Sequence, residues 1–144
     1  MQRLAPTLAL SLFLLFNLST SAQENKVPED SSAVRATVTN YIEAYYTGDA
    51  RRMEQTLDPH YLKHIIHGNI PMREKTAPEM LEEVRTHGIP DIPQTQRTEQ
   101  VIVLDVAGNI ASAKLVTPGW MDYVTLAKSG GEWKILSIVQ RIDN

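Results

Sequence analysis

From Thr98 to the end of the chain, short runs of alternating apolar and polar residues are cut by turn-forming residues. "TEQVIVLDV", "NIASAKLVT", "WMDYVTLAK" and "EWKILSIVQRI" are separated by "AGN", "PG" and "SGG". Period-two alternation interrupted by Gly-Asn, Pro-Gly and Gly-Gly is the signature of consecutive β-hairpins. Four successive hairpin-linked strands must bury one face against something else, and the rest of the chain has to supply the cover.

That cover reads as helical. From Ser32, Val34, Val38, Tyr41, Ile42 and Tyr45 fall along one helical face. Gly48 stops the first helix, and Asp49 caps a shorter one through "ARRMEQTL". After Asp58-Pro59, "HYLKHIIH" is expected to add one or two helical turns. Thr76 with Glu79 forms a capping box and Pro78 sits in the first turn, so a further helix presenting Met80, Leu81 and Val84 runs to Gly88. "IPDIPQTQ" is expected to be extended coil, since each proline disfavours helix at the residue before it. Helices followed by a four-stranded antiparallel meander predict an α+β domain with the helices packed on one sheet face.

Treating Gly108-Asn109, Pro118-Gly119 and Gly130-Gly131 as two-residue turns fixes an expected register. It places Ile102, Leu104, Val106, Ala111, Ala113, Leu115, Trp120, Asp122, Val124, Leu126, Trp133, Ile135, Val139 and Arg141 on the helix-covered concave face. Val101, Val103, Asp105, Ser112, Lys114, Tyr123, Thr125, Lys134, Leu136 and Gln140 fall on the other.

The segments "YIEAYYTGDARRMEQTL", "VIVLDVAGNIASAKLV" and "GWMDYVTLAKSGGEWKILSIV" resemble the putative lumazine-binding family of the nuclear transport factor 2-like superfamily. Relatives of that family include ketosteroid isomerase and SnoaL-like polyketide cyclases. The resemblance spans Ala33 to Ile142. It implies a cone-shaped roll, helices on a strongly curved antiparallel sheet, often dimeric, with a pocket between sheet and helices. Where family members tend to carry His-Pro, then Leu and a Lys-Arg pair, this chain reads Asp58-Pro59-His60-Tyr61-Leu62-Lys63-His64.

The N-terminus sets an expected address. A short basic start, the apolar run "LAPTLALSLFLLFNLS", and Thr20 and Ala22 at the small positions read as a signal peptide over residues 1–22. The core Leu8 to Phe16 is far shorter than the roughly 20 residues that span a bilayer. The expected organisation is a signal peptide at 1–22, a flexible leader at 23–31 and one domain at 32–144, in the periplasm or secreted. Removing residues 1–22 takes Arg3, one of 14 basic residues, and none of the 17 acidic ones, leaving a net charge of −4. An acidic domain without a basic cluster argues against nucleic acid as a partner. With no cysteine, disulfides and thiol chemistry are ruled out. No further long apolar run predicts a membrane span in the mature chain.

Asp122 is the chemically pointed residue. The expected register sets it on the apolar concave face, opposite Val139 and diagonal to Arg141. Desolvation there raises its pKa toward that of a general base, whereas an ion pair with Arg141, which could also stack on Trp120, lowers it. Tyr41, Tyr45, Tyr61, Met80, Trp120, Asp122 and Arg141 are the expected lining of a ligand pocket. His60, His64 and His67, at i, i+4 and i+7 of a supposed helix, are candidate zinc ligands. Their bland alternative is a polar helix edge, and neither a metal nor a cofactor is expected. No phosphate-cradling glycine loop, nucleophile elbow or dinucleotide fingerprint is present.

Three readings of function stay open. One is an exported protein binding a small apolar or aromatic molecule. A second is an isomerase, dehydratase or cyclase with Asp122 as base. The third is a structural homodimer built on the outer sheet face through Val101, Val103, Val116, Leu136 and Ile138.

Overall fold

A computed structural model describes residues 26–143. The expected signal peptide lies outside the described residues. The elements run α1 (Lys26–Thr47), α2 (Ala50–Thr56), β1 (Leu57–His67), β2 (Ile70–Thr76), α3 (Ala77–His87), a 3-10 turn (Gln94–Gln96), β3 (Gln100–Ala107), β4 (Ile110–Val116), β5 (Trp120–Ser129) and β6 (Glu132–Ile142). The result is the expected α+β fold, with N-terminal helices on a curved, unclosed sheet.

Residues 26–31, expected to be a flexible leader, already form the first turns of α1. Asp30 explains the attachment: its carboxylate accepts from Lys128 Nζ at 2.6 Å and from the Trp133 indole at 3.1 Å. Further along α1, Val34, Val38 and Ile42 are buried against Leu115, Leu126, Ile135 and Ile138 of the sheet. Burying each such side chain contributes about 1.5–3 kcal/mol. The α1 helix ends at Gly48, whose φ of +69° favours glycine. There the chain turns against the end of α3, so closely that a Cβ on Gly48 would sit 2.6 Å from the Gly88 carbonyl carbon. Asp49 then caps α2 by accepting from the Arg52 N–H at 2.9 Å. The α3 cap is reciprocal, with the Glu79 carboxylate accepting from the Thr76 N–H at 2.7 Å.

The sheet has six strands in the order β2-β1-β6-β5-β4-β3, with β1 and β6 parallel and every other pair antiparallel. "HYLKHIIH" is therefore a strand, not helical turns. Tyr61, Lys63 and Ile65 face inward at alternate positions, a period of two hidden in the sequence by a lysine occupying a core position. β2 escaped notice for a different reason. It is an edge strand exposed along most of its length, with Pro71 and three charges, so it carries no apolar alternation.

The three turns of the meander are where the register expects them: Ala107 pairs with Ile110, Leu115 with Asp122, and Ser129 with Glu132. Two β-bulges nevertheless overturn part of the face assignment. In β3, Val103 pairs with Ala113 and Asp105 with Ser112, so Leu104 is the extra residue. In β6, Ser137 pairs with Thr125 and Ile135 with Leu126, so Leu136 is extra. Each bulge flips the parity of what precedes or follows it. Val101, Val103, Ile138 and Gln140 consequently face the helices, while Ile102, Leu104, Val139 and Arg141 face outward. Between the bulges the expected faces stand: Ala111, Ala113, Leu115, Asp122, Val124, Leu126, Trp133 and Ile135 are all buried.

Candidate functional site

Toward the β2–β1–β6 side of the sheet, α1 and α3 roof a cavity of about 130 Å³. Its walls are largely apolar and aromatic: Tyr41, Ile42 and Tyr45 from α1, Met80 from α3, Trp120 from β5 and Ile142 from β6. Polar atoms come from Lys63, Lys75, Glu83 and Gln140. Tyr45 meets Trp120 edge-on, with ring centroids 6.0 Å apart and planes at 84°, and Tyr46 packs on the same indole at 6.4 Å. Such edge contacts suit the ring quadrupoles and hold the indole in place. At the mouth, Lys75 and Glu83 form an ion pair with side chains 23% and 30% exposed, so solvent reaches the cavity there.

Beneath the cavity lies a buried polar cluster. Lys63 projects from β1, and its ammonium donates to the Tyr41 hydroxyl at 3.1 Å. It stands 3.8 Å from Asp122 Oδ2, with the lysine side chain 7% exposed and the aspartate fully buried. Neither Asp122 oxygen nor the Tyr61 hydroxyl has a well-formed hydrogen bond. Burial pushes the Asp122 carboxyl up, opposed first by the Lys63 ammonium and then by Gln140 and Trp120. The Tyr41 hydroxyl is raised well above its usual value by burial and by the Asp122 charge, and the Tyr61 hydroxyl by burial. Tyr45 is raised by burial, then by Glu83. Tyr46, whose hydroxyl donates to the Thr98 carbonyl, is pushed up to about 12, chiefly by burial.

Of the residues singled out in the sequence, Tyr41, Tyr45, Met80 and Trp120 line the cavity. Tyr61 and Asp122 lie buried in the cluster below it. Arg141 does not join them. The β6 bulge turns it outward, where its guanidinium pairs with Asp143 at 2.8 Å and is 63% exposed. The cation facing Asp122 is Lys63 instead, and its cross-strand neighbour is Gln140, not Val139. The histidines disperse because the segment is a strand. His60 is exposed beside Asp58, His64 pairs with Glu74 across to β2 at 3.2 Å, and His67 has the opposite parity. Among the described residues, no group of three or more His, Cys, Asp or Glu side chains is placed to hold a metal. Lys63, Lys75, Glu83 and Gln140 were missed by sequence reasoning. The signal for Lys63 was the Tyr61-x-Lys63-x-Ile65 alternation; for Gln140 there was none, since only the bulge turns it inward.

The sequence profile described as "putative lumazine-binding" matches residues 29–139, most of the described domain. The chain belongs to that family. Solved structures agree on the nuclear transport factor 2-like fold. A protein of unknown function from Silicibacter pomeroyi superposes with a TM-score of 0.67 at 18% identity, covering 81% of this chain and 98% of that one. A ketosteroid isomerase-like protein from Erwinia carotovora atroseptica gives 0.58 at 14% identity, covering 81% and 98%. A protein titled a putative dehydratase, from Streptomyces avermitilis, gives 0.53 at 16%, again covering 81% and 98%. At such identities the likeness is one of fold. No curated protein matches the sequence. Among the described residues of this lumazine-binding family member, no helix is long and apolar enough to cross a membrane.

Proposed function

We propose that this chain is an exported protein that holds a small aromatic or apolar molecule between α1, α3 and the sheet. The observation carrying the reading is the cavity itself, walled by Tyr41, Tyr45, Met80 and Trp120 with a few convergent polar groups, the usual make-up of a small-molecule site. Its volume of about 130 Å³ is close to the roughly 150 Å³ of a void that takes up benzene. A single ring therefore suits it better than a fused ring system. Export is supported by the N-terminal sequence pattern.

The test is a titration of the mature domain with benzyl alcohol, followed by side-chain NMR. Saturable shifts at Tyr45 and Trp120, lost in Trp120→Ala, are the expected result. Shifts spread evenly over the surface, or unchanged in that variant, would overturn the reading.

A catalytic reading is favoured by one observation, the fully buried carboxyl of Asp122, which lacks a well-formed hydrogen bond. In that reading Asp122 is the base for proton transfer beside a carbonyl, with Tyr41 as acid. Asp122 does not itself line the cavity; its neighbours Lys63, Trp120 and Gln140 do. Turnover of a carbonyl substrate that survives Asp122→Asn would rule it out. A homodimer reading rests on the outer sheet face. Leu104, Tyr123 and Val139 are 51%, 52% and 45% exposed there, joined by Ile102 and Leu136. This replaces the set containing Val101 and Ile138, which face inward. Sedimentation of the mature chain as a clean monomer at tens of micromolar, about where specific interfaces persist, would exclude it.

A further inference from the structure

We propose that Lys63 is a carbonyl-capturing amine, and that the cavity takes a small aldehyde or ketone and holds it through a reversible imine to this side chain. The inference rests on the pocket reading and deepens it by naming the ligand class and the bond.

An ammonium is a strongly hydrated point charge, and lysine is among the residues least often buried. Lys63 is nonetheless 5% exposed, on a strand whose neighbouring inward positions are Tyr61 and Ile65. A purely structural ion pair at this depth needs contact geometry and further hydrogen bonds to offset its desolvation. Here the nitrogen stands 3.8 Å from Asp122, beyond hydrogen-bond contact, and Gln140 and Trp120 reach the carboxylate without a well-formed hydrogen bond. What the nitrogen does have is the Tyr41 hydroxyl at 3.1 Å and a place on the wall of the cavity. A lysine desolvated among apolar groups, facing open space, with an acid–base partner behind it, is arranged as a nucleophile.

The groups around it can carry the proton movements. The titratable side chains facing Lys63 are Tyr41 and Tyr45 of α1, Tyr61 of its own strand and Asp122 of β5, with Glu83 of α3 and Lys75 of β2 at the mouth. The Lys63 ammonium passes one proton to the Asp122 carboxylate, which leaves both groups neutral. The amine lone pair then forms the C–N bond while the carbonyl π pair moves onto oxygen. The Tyr41 hydroxyl relays a proton from that nitrogen to the oxygen, giving a carbinolamine. The C–O bond breaks as the Asp122 carboxyl returns its proton to the Lys63 nitrogen and the Tyr41 hydroxyl relays one from that nitrogen to the leaving oxygen. Water departs, a protonated imine remains on Lys63, and Asp122 is again its carboxylate partner. Tyr45, Met80 and Trp120 supply the apolar walls for the carbonyl's substituent.

The experiment treats the mature domain with benzaldehyde and sodium cyanoborohydride, which traps an imine as a stable secondary amine. Peptide mapping then locates the adduct, and benzyl alcohol serves as a non-carbonyl competitor. The expected result is one adduct per chain at Lys63, formed about tenfold or more faster than at Lys114, Lys128 or Lys134, as a carbonyl held against the amine in the cavity implies. The adduct is suppressed by benzyl alcohol, absent in Lys63→Arg and slowed in Tyr41→Phe. If benzyl alcohol binds but Lys63 is modified no faster than the surface lysines, the imine is overturned and the pocket stands. If benzyl alcohol does not bind and Lys63 is not modified, both fall. Should Lys63→Arg fail to fold, mapping of the wild-type adduct and the Tyr41→Phe rate still decide the matter.

Discussion

A double-mutant cycle on Lys63 and Asp122 addresses the centre of the cluster. The variants are Lys63→Met, Asp122→Asn and the pair together, compared by urea unfolding at pH 7. At 3.8 Å and an effective dielectric of 20, the attraction of two unit charges is about 4 kcal/mol. Removing either partner leaves the other charge buried and uncompensated, which costs about 3–5 kcal/mol. Removing both replaces the pair by a neutral amide and a thioether, and should cost far less than the two losses added together. The expected coupling is about 2–4 kcal/mol, well above the roughly 0.3–0.5 kcal/mol within which independent sites add. Since a small domain has only about 5–15 kcal/mol in all, circular dichroism must first show that each single variant is folded. Additive single losses would mean that the two groups do not compensate one another's burial.

The pH dependence of the same carboxyl has a definite sign. Burial raises Asp122 in the folded state, so between its unfolded value of about 3.9 and its higher folded value the native state holds more protons, and stability falls as pH rises through that window. In a pH series of urea midpoints, the difference between wild type and Asp122→Asn should change there; a flat difference contradicts the assignment. Gly48→Ala should cost more than about 2 kcal/mol, because the left-handed backbone penalty of about 1–2 kcal/mol is joined by collision with Gly88. Gly108→Ala, at a φ of +64° with nothing within 4 Å, should pay the backbone penalty alone, and equal melting shifts for the two would be the wrong outcome. Arg141→Ala should change stability by no more than about 0.5 kcal/mol and leave benzyl alcohol binding untouched. A loss of binding in that variant would restore the bulge-free register.

The helices and the meander were legible because their signals are local. Val34, Val38 and Ile42 repeat at the helical period, Thr76 and Glu79 mark a start, and each hairpin turn carries its own glycine. Asp122 could be placed facing inward because turn parity alone carries it there from β4. Residues 26–31 of the expected leader are helical because Asp30 has partners more than 90 positions away, in Lys128 and Trp133.

Local signals sufficed for the α+β class, the points where the three helices that form stop, the starts of the second and third, the three turns and the aromatic character of α1. Tertiary structure alone decided which cation meets Asp122. Leu104 and Leu136 look like any other strand residue until a partner strand skips them, and that skip sends Arg141 to solvent and Gln140 inward. Lys63 likewise becomes an interior residue only when β1 is inserted between β2 and β6. Which strands pair, and in what register, depends on contacts distant along the chain, and no short window of residues contains them.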